Sequence, residues 1–529
     1  MTETATFVGS RFSASRRRPP LSLVLAAVLV AALVLLPLAY TVLQATQVGR
    51  QDTIDLLFRP LVGELLVNTI GLVIAATVTS AIIGTVAAWF IERTELPGRR
   101  IWAVLAAVPL AIPPFITSFA WVSLSNALQD FAGALLVVTC AYYPLVYLPV
   151  AAALRGLDPA LEDTARSLGL GAWGCFFRVV LPQLRPALFG GMLLVALNTL
   201  VEFGAFALLR FRTFTTEIYA QYRTGLDGPE SSLLAVVLIV ICIIFLLVES
   251  KARGNVRYAR IGPGMRRMVT PLSLGWFRWP ILGGFAVLTA ATLGVPIGMI
   301  GYWLLQHAQA ATSPVAPSWP LLAHATLASI GFGIVGAVAT LCLALPLGYL
   351  STRYDGRWII ALERMAYLAQ GVPGIVVALA LISLTVDAFR PLYQSAVLLV
   401  IAYSILFLPL ALVSVRAAIS QVPSTLEEAG SSLGLGWFAV TRRVLLPLIG
   451  PGLGAAGAMV FVSVVTELTG TLLLSPIGTR TLATQVWANT SSLAFAAAAP
   501  FAAVMLLMSL ISTWVLARRF GAAALGQMI

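Results

Sequence analysis

Twelve runs of roughly 20 apolar residues each, the length that crosses a hydrocarbon core as an α-helix, constrain this chain more than anything else in it. They lie near 21–45, 66–91, 101–127, 133–154, 187–209, 232–249, 279–303, 321–350, 360–385, 395–415, 450–474 and 497–517. Only 10% of the 529 residues are charged and mean hydropathy is +0.95, against about 25% charged in a soluble domain. With no water to satisfy backbone groups in lipid, such runs are expected to be helices. The first follows "RFSASRRRPP" and is too long for the apolar core of a secretory signal, so it reads as a retained span.

The charge is uneven. The net +12 is carried by arginine, with Lys251 the lone lysine. With the N-terminus in the cytoplasm, 26 of the 33 basic residues fall in inner segments, as retention of basic loops against anionic lipid requires. This placement argues for lipid as the partner of the basic residues and against nucleic acid. It leaves both termini in the cytoplasm. Cys140, Cys175, Cys242 and Cys342 lie far apart in or beside apolar runs, and histidine is confined to His307 and His324, so neither a disulfide framework nor a His/Cys metal cage is expected.

Two polar stretches interrupt the grease. "LEDTARSLGLGAWGCFFRVVLPQLRP" runs from Leu161 to Pro186, and "LEEAGSSLGLGWFAVTRRVLLPLIGP" from Leu426 to Pro451. Glu162 and Glu427, Gly169 and Gly434, Pro182 and Pro447, and Glu202 and Glu467 all lie 265 residues apart. Each stretch follows a fourth span and precedes a fifth, on the cytoplasmic side. The expected architecture is therefore an all-α integral membrane protein of about 12 transmembrane helices, built as two parallel six-helix repeats. Its expected divisions are a cytoplasmic tail at 1–20, a first transmembrane domain at 21–250, a basic linker at 251–278, a second transmembrane domain at 279–519 and a tail at 520–529.

Within each stretch the residues spell a short helix. Asp158 and Pro159 suit the N-cap and first turn of one copy. Ser424 with Glu427 has capping-box spacing in the other. Glu162, Asp163, Glu427 and Glu428 sit where a helix dipole favours acids, and Gly169 and Gly434 suit the left-handed C-terminal position. The expectation is a stubby cytoplasmic helix with negative charge and small residues on its surface, shaped to lie in a groove of another protein; a solvated loop helix is the alternative for either copy alone.

"EDTARSLG…VVLP" and "EEAGSSLG…VLLP" resemble the E-A-A…G…L-P motif of permease subunits of binding-protein-dependent ABC importers, with Asp163, Thr164 and Gly430 departing from it. The resemblance covers both halves. It implies that Glu162, Asp163, Ala165, Gly169, Glu427, Glu428, Ala429 and Gly434 form coupling helices docked on two copies of an ABC ATPase. It also implies an extracytoplasmic substrate-binding protein, no cofactor, no catalysis by this chain, and a bacterial inner-membrane location. The chain itself holds no G-x-x-x-x-G-K-[ST] phosphate loop, since its one lysine stands in "LVESKARG".

Ionisable groups inside spans are costly and mark function by default. Glu202 and Glu467 fall in the fifth and eleventh runs; either alone could be a packing hydrogen-bonder, but as a pair they are candidates for the translocation pathway. Pro113, beside Pro109 and Pro114, and Pro373 should break the third and ninth spans, as is tolerated where helices line a cavity; simple kinking for packing is the alternative for any one of them. With "VEFG", "TFTTEIYAQY", "TELTGTLLL", "LSPIGTRTLATQVW" and "QGVPGIVVALALISL", the acids resemble the two-domain iron(III) branch of these permeases. That resemblance implies transient contact of Glu202 and Glu467 with a hard cation that prefers oxygen ligands. Thiamine, phosphonate, sulfate and polyamine permeases of the same type are alternatives; a secondary transporter and an ion channel are the rivals of other classes. Arg210, Arg212 and Arg480 in outer loops are candidates for docking the binding protein.

Overall fold

The computed structural model describes residues 19–157, 159–225, 228–253, 272–306 and 319–520. Most of the expected tails and of the linker, together with Asp158 and His307, lie outside the described residues. The described chain is helical, and its one extended pairing is an isolated bridge between Thr94 and Leu272.

Among the described residues ten helical segments are long and apolar enough to cross a membrane, and the third apolar run forms a further, broken span whose arms, Arg99–Ala111 and Pro114–Leu124, meet at 94°. The ninth run divides in the same way into Arg357–Leu368 and Gly374–Ala388. Both breaks follow from proline. Pro113 and Pro373 take the same extended conformation (φ −58°, ψ 139° and 138°), and each gives its carbonyl to the first turn of the helix that follows. A proline ring disfavours the helical conformation in the residue before it, and Ile112 and Val372 are extended accordingly.

The Leu-Pro anchor of each polar stretch has a structural meaning as well. A π-helical turn at Phe176–Val180 leads into the Leu181–Val201 helix, and another at Thr441–Leu445 leads into Leu446–Thr466. Pro182 and Pro447 stand two residues beyond these turns. Each lacks the amide that would bond four residues back, and its ring would press on that carbonyl; a widened turn accommodates both. A third π turn, Ala290–Gly294, precedes Pro296 by the same spacing.

Each half is organised around one very long helix, Pro60–Arg93 in the first and Trp319–Arg353 in the second. The halves are not self-contained. Leu23, Ala27, Val30 and Val34 of the first helix share a core with Ala337, Ala344, Leu347 and Ile375 of the second half. Conversely, Leu293 and Ile300 of the second half pack with Ile112, Phe115, Ile116 and Phe119 of the first. Each half thus lays its opening span on the other.

Candidate functional site: two cytoplasmic knobs and two broken spans

The short helices form at Pro159–Ser167 and Ser424–Ser432. Both stop as expected. Gly169 and Gly434 adopt left-handed φ of 88° and 86°, and the next residue closes the end: the Leu170 amide donates to the Ala165 carbonyl (3.1 Å), and the Leu435 amide to Gly430 (3.2 Å). This six-to-one bond is the Schellman pattern.

The acids divide in a way the spacing did not reveal. Asp163 and Glu428 are exposed. Glu162 and Glu427, expected on the outer surface, instead point back into the protein. Arg93 Nη2 lies 3.0 Å from Glu162 Oε1, with 3% and 9% of the two side chains exposed. Arg353 Nη2 lies 2.6 Å from Glu427 Oε1, with 14% and 12% exposed. Arg353 Nε also donates to that oxygen, and the Tyr349 hydroxyl donates to Glu427 Oε2 at 2.7 Å. The capping box expected from Ser424 and Glu427 is consequently not formed: the N-cap is Pro423, without a side-chain bond. An arginine within reach of the carboxylate gives a stronger, charge-assisted contact than a backbone amide at an exposed helix start.

Small residues pack the inner faces. Ala165 is buried and so is its repeat partner Gly430, where an added Cβ would approach Val440 and Val444 at 3.4 and 3.5 Å; Ala429 is exposed. The outward face is partly apolar: Leu161 and Leu426 are exposed, and Leu168 and Leu433 are 79% and 83% exposed. These leucines too are 265 residues apart, so each knob presents the same apolar tip.

Glu202 and Glu467 end the Leu181–Val201 and Leu446–Thr466 helices with extended ψ of 128° and 124°, and each caps the short helix that follows. Glu202 Oε1 accepts the Ala205 amide (2.9 Å) and Oε2 the Tyr142 hydroxyl (2.8 Å). Glu467 accepts the amides of Gly470 (2.8 Å) and Thr471 (2.9 Å) and the Thr471 hydroxyl (2.9 Å). Tyr403 reaches the carboxylate through that Thr471 hydroxyl, 2.7 Å away. Both acids are half-buried. Among the described residues no three His, Cys, Asp or Glu side chains gather in metal-binding fashion.

The broken spans meet these caps. A Cβ on Gly204 would lie 2.8 Å from Leu468 Cδ2 and 3.0 Å from Phe115 Cβ, and one on Gly374 would lie 3.4 Å from Glu467 Oε1. Phe203 stacks on Trp487 of the other half with ring centroids 5.5 Å apart. The structure thus brings Glu202, Glu467, Pro113 and Pro373 together near the contact between halves. Arg210, Arg212 and Arg480 are exposed, with Arg210 in a left-handed conformation (φ 54°).

Sequence reasoning missed Arg93 and Arg353. A signal was present: both stand just beyond an apolar run, the second and the eighth, and lie 260 residues apart, as do Pro113 and Pro373.

The family model for the binding-protein-dependent transport system inner membrane component matches residues 80–250 and again 344–520, once in each half. The chain belongs to this family. An Fe(3+)-transport system permease protein of Haemophilus influenzae is 37% identical over 502 residues, covering 94% of this chain and 98% of the relative. A putative ferric transport system permease of the same organism is 25% identical, covering 81% of this chain and 73% of its own length. The sulfate transport system permease of Escherichia coli is 27% identical over 255 residues, which is 44% of this chain and 92% of that protein. The chain is thus a fused permease with two family units in one polypeptide, an inner-membrane component of a transport system.

Proposed function

We propose that this permease forms the membrane pathway of an ATP-driven importer for ferric iron, delivered by an extracytoplasmic binding protein and driven by two copies of a separate ATPase subunit. The observation that carries the mechanism is the pair of short helices, each with an exposed leucine tip and an inward-turned glutamate anchor. A protruding apolar residue at the same place on both halves suits identical grooves on two identical motor subunits. Closure of the motors on ATP pushes the knobs together, and the two halves rock about their contact, alternating access. Asp163, Glu428 and Ala429 contribute to the docking face. Glu162, Glu427, Ala165, Gly169 and Gly434 shape and hold it.

At the pathway, Pro113 and Pro373 open the third and ninth spans while Glu202 and Glu467 end the fifth and eleventh. The half-buried carboxylates supply the oxygen-rich, negative lining that a hard cation tolerates and an anion does not. Their oxygens already accept capping amides, so contact with cargo is transient, in passage rather than storage. The extent of similarity to a ferric permease supports iron over thiamine, phosphonate or sulfate. The docking loops for the binding protein are assigned around Arg210, Arg212 and Arg480. The N- and C-termini, the basic linker 251–278 and the tails 1–20 and 520–529 are assigned to the cytoplasm on the distribution of arginine.

The test is co-purification of an untagged ATPase with the tagged permease, followed by uptake of radiolabelled ferric ion into proteoliposomes holding binding protein. Leu168→Asp with Leu433→Asp should abolish co-purification while leaving membrane insertion intact. Recovery of the ATPase at wild-type yield with both leucines replaced rejects the docking face. Uptake of thiamine or phosphonate in place of iron would reassign the cargo and leave the mechanism standing.

A further inference from the structure

The two arginines that hold the knobs stand at the ends of the two long helices, and the opposite ends of those helices are also bonded at equivalent places. Arg93 closes the Pro60–Arg93 helix, and its Nη2 donates to the Leu154 carbonyl (3.2 Å) as well as facing Glu162. Arg353 closes Trp319–Arg353, and its Nη2 donates to the Val422 carbonyl (2.8 Å) as well as facing Glu427. Each guanidinium therefore joins the long helix, the end of the fourth or tenth span, and the knob. Toward the far end, Thr69 Oγ1 accepts the Phe214 amide (3.2 Å), and Ser329 Oγ accepts the Leu482 amide (2.9 Å). Phe214 and Leu482 begin the helices Phe214–Gly225 and Leu482–Ser491, which follow the Glu202 and Glu467 breaks. Thr69 to Arg93 and Ser329 to Arg353 are both 24 residues, about 36 Å of helix at 1.5 Å per residue.

We propose that each long helix is a strut, fastened by Arg93 or Arg353 to a knob at its inner end and by Thr69 or Ser329 to an outer helix at the other, so that knob displacement is delivered across the membrane to the segment beyond the Glu202 or Glu467 break. This rests on the importer reading above and assigns Arg93 and Arg353 as positioning residues within it. An arginine suits the task, because its guanidinium can face a carboxylate and donate to a carbonyl at once. Arg93 is buried against Glu162 and Arg353 is largely shielded against Glu427, so each pair is less screened by water than an exposed ion pair. Helices are stiff along their axes, so a knob held at one end cannot shift without moving the other. The first strut contains no proline inside it; the second carries Pro346 near its inner end.

The experiment uses the permease–ATPase complex in nanodiscs with spin labels in two places. One pair, at Ser167→Cys and Ser432→Cys, which are exposed at equivalent places on the two knobs, reports the knobs; the other, at Arg223→Cys and Ala488→Cys, reports the outer helices. In the otherwise wild-type protein, ATP should shorten the knob distance and change the outer distance. In Arg93→Met with Arg353→Met, the knobs should still converge while the outer distance stays fixed, and stimulation of ATPase by loaded binding protein should fall at least tenfold. Exchanging the partners (Arg353→Glu with Glu427→Arg) should recover part of that stimulation. An outer response of wild-type size in the double Met variant overturns the strut. Should that variant fail to insert, Glu162→Gln with Glu427→Gln removes the charge with little change of shape, and full stimulation there overturns it equally. Knobs that fail to converge in the wild-type background, or an ATPase that does not co-purify, would overturn the importer reading instead.

Discussion

The contact between Gly204 and Leu468 makes a quantitative demand on the interface between halves. A methyl group placed on Gly204 arrives 2.8 Å from Leu468 Cδ2 and 3.0 Å from Phe115 Cβ, both closer than carbon atoms pack. Overfilling of this kind costs roughly 1–3 kcal/mol, so Gly204→Ala is expected to destabilise by about 2 kcal/mol. Leu468 is 4% exposed, and its truncation to alanine should cost about 2–5 kcal/mol. Together the changes should cost less than their sum. Leu468→Ala removes the nearer obstruction and leaves the Phe115 one, so about half the overpacking, on the order of 1 kcal/mol, should be recovered. Cysteine accessibility provides the assay. Cys140, Cys175 and Cys242 are buried and Cys342 is exposed, so in a Cys342→Ser background a thiol-reactive dye reports unfolding in detergent titrations. Additivity of the two changes within about 0.5 kcal/mol, as expected of sites with no shared contact, would refute the meeting of the Glu202 and Glu467 segments at this point.

Other outcomes follow from the same geometry. At Gly434 (φ 86°) an added Cβ meets nothing within 4 Å, so Gly434→Ala should cost only the left-handed conformational penalty of about 1–2 kcal/mol; Gly434→Asn should cost less, and the order is read from ATPase binding affinity. Glu162→Ala should destabilise by about 3 kcal/mol or more, since it strands a nearly dry guanidinium. Glu427→Ala should cost less because Arg353 is more exposed; the same dye titration ranks them, and equal effects would count against the difference in burial.

Local chemistry carried much of this architecture into the sequence. Gly169 and Gly434 could be placed as left-handed stops because an L side chain is strained there, and Pro113 and Pro373 as breaks because proline cannot donate a helical amide. The repeat at a spacing of 265 was visible without coordinates. What stayed hidden depended on distant partners. Glu427 in the first turn after Ser424 fits a capping box as well as it fits an ion pair, and only the fold brings Arg353 to it from 74 residues away. Glu202 and Glu467 were conspicuous as charges in apolar runs, yet their sequence neighbours did not show that their oxygens would be taken up by the amides of the next helix. The exchange of opening spans left no mark at all, since one apolar helix face resembles another.

That exchange has a consequence for biogenesis. The segment Leu21–Ala45 enters the bilayer long before Ala337, Leu347 and Ile375 have been translated, so one face of it must wait in lipid for neighbours not yet made. Joining both halves in a single polypeptide guarantees that those neighbours arrive, tethered and at high local concentration, and a ribosome that stops between the halves would leave an orphan with an open flank for quality-control proteases to recognise.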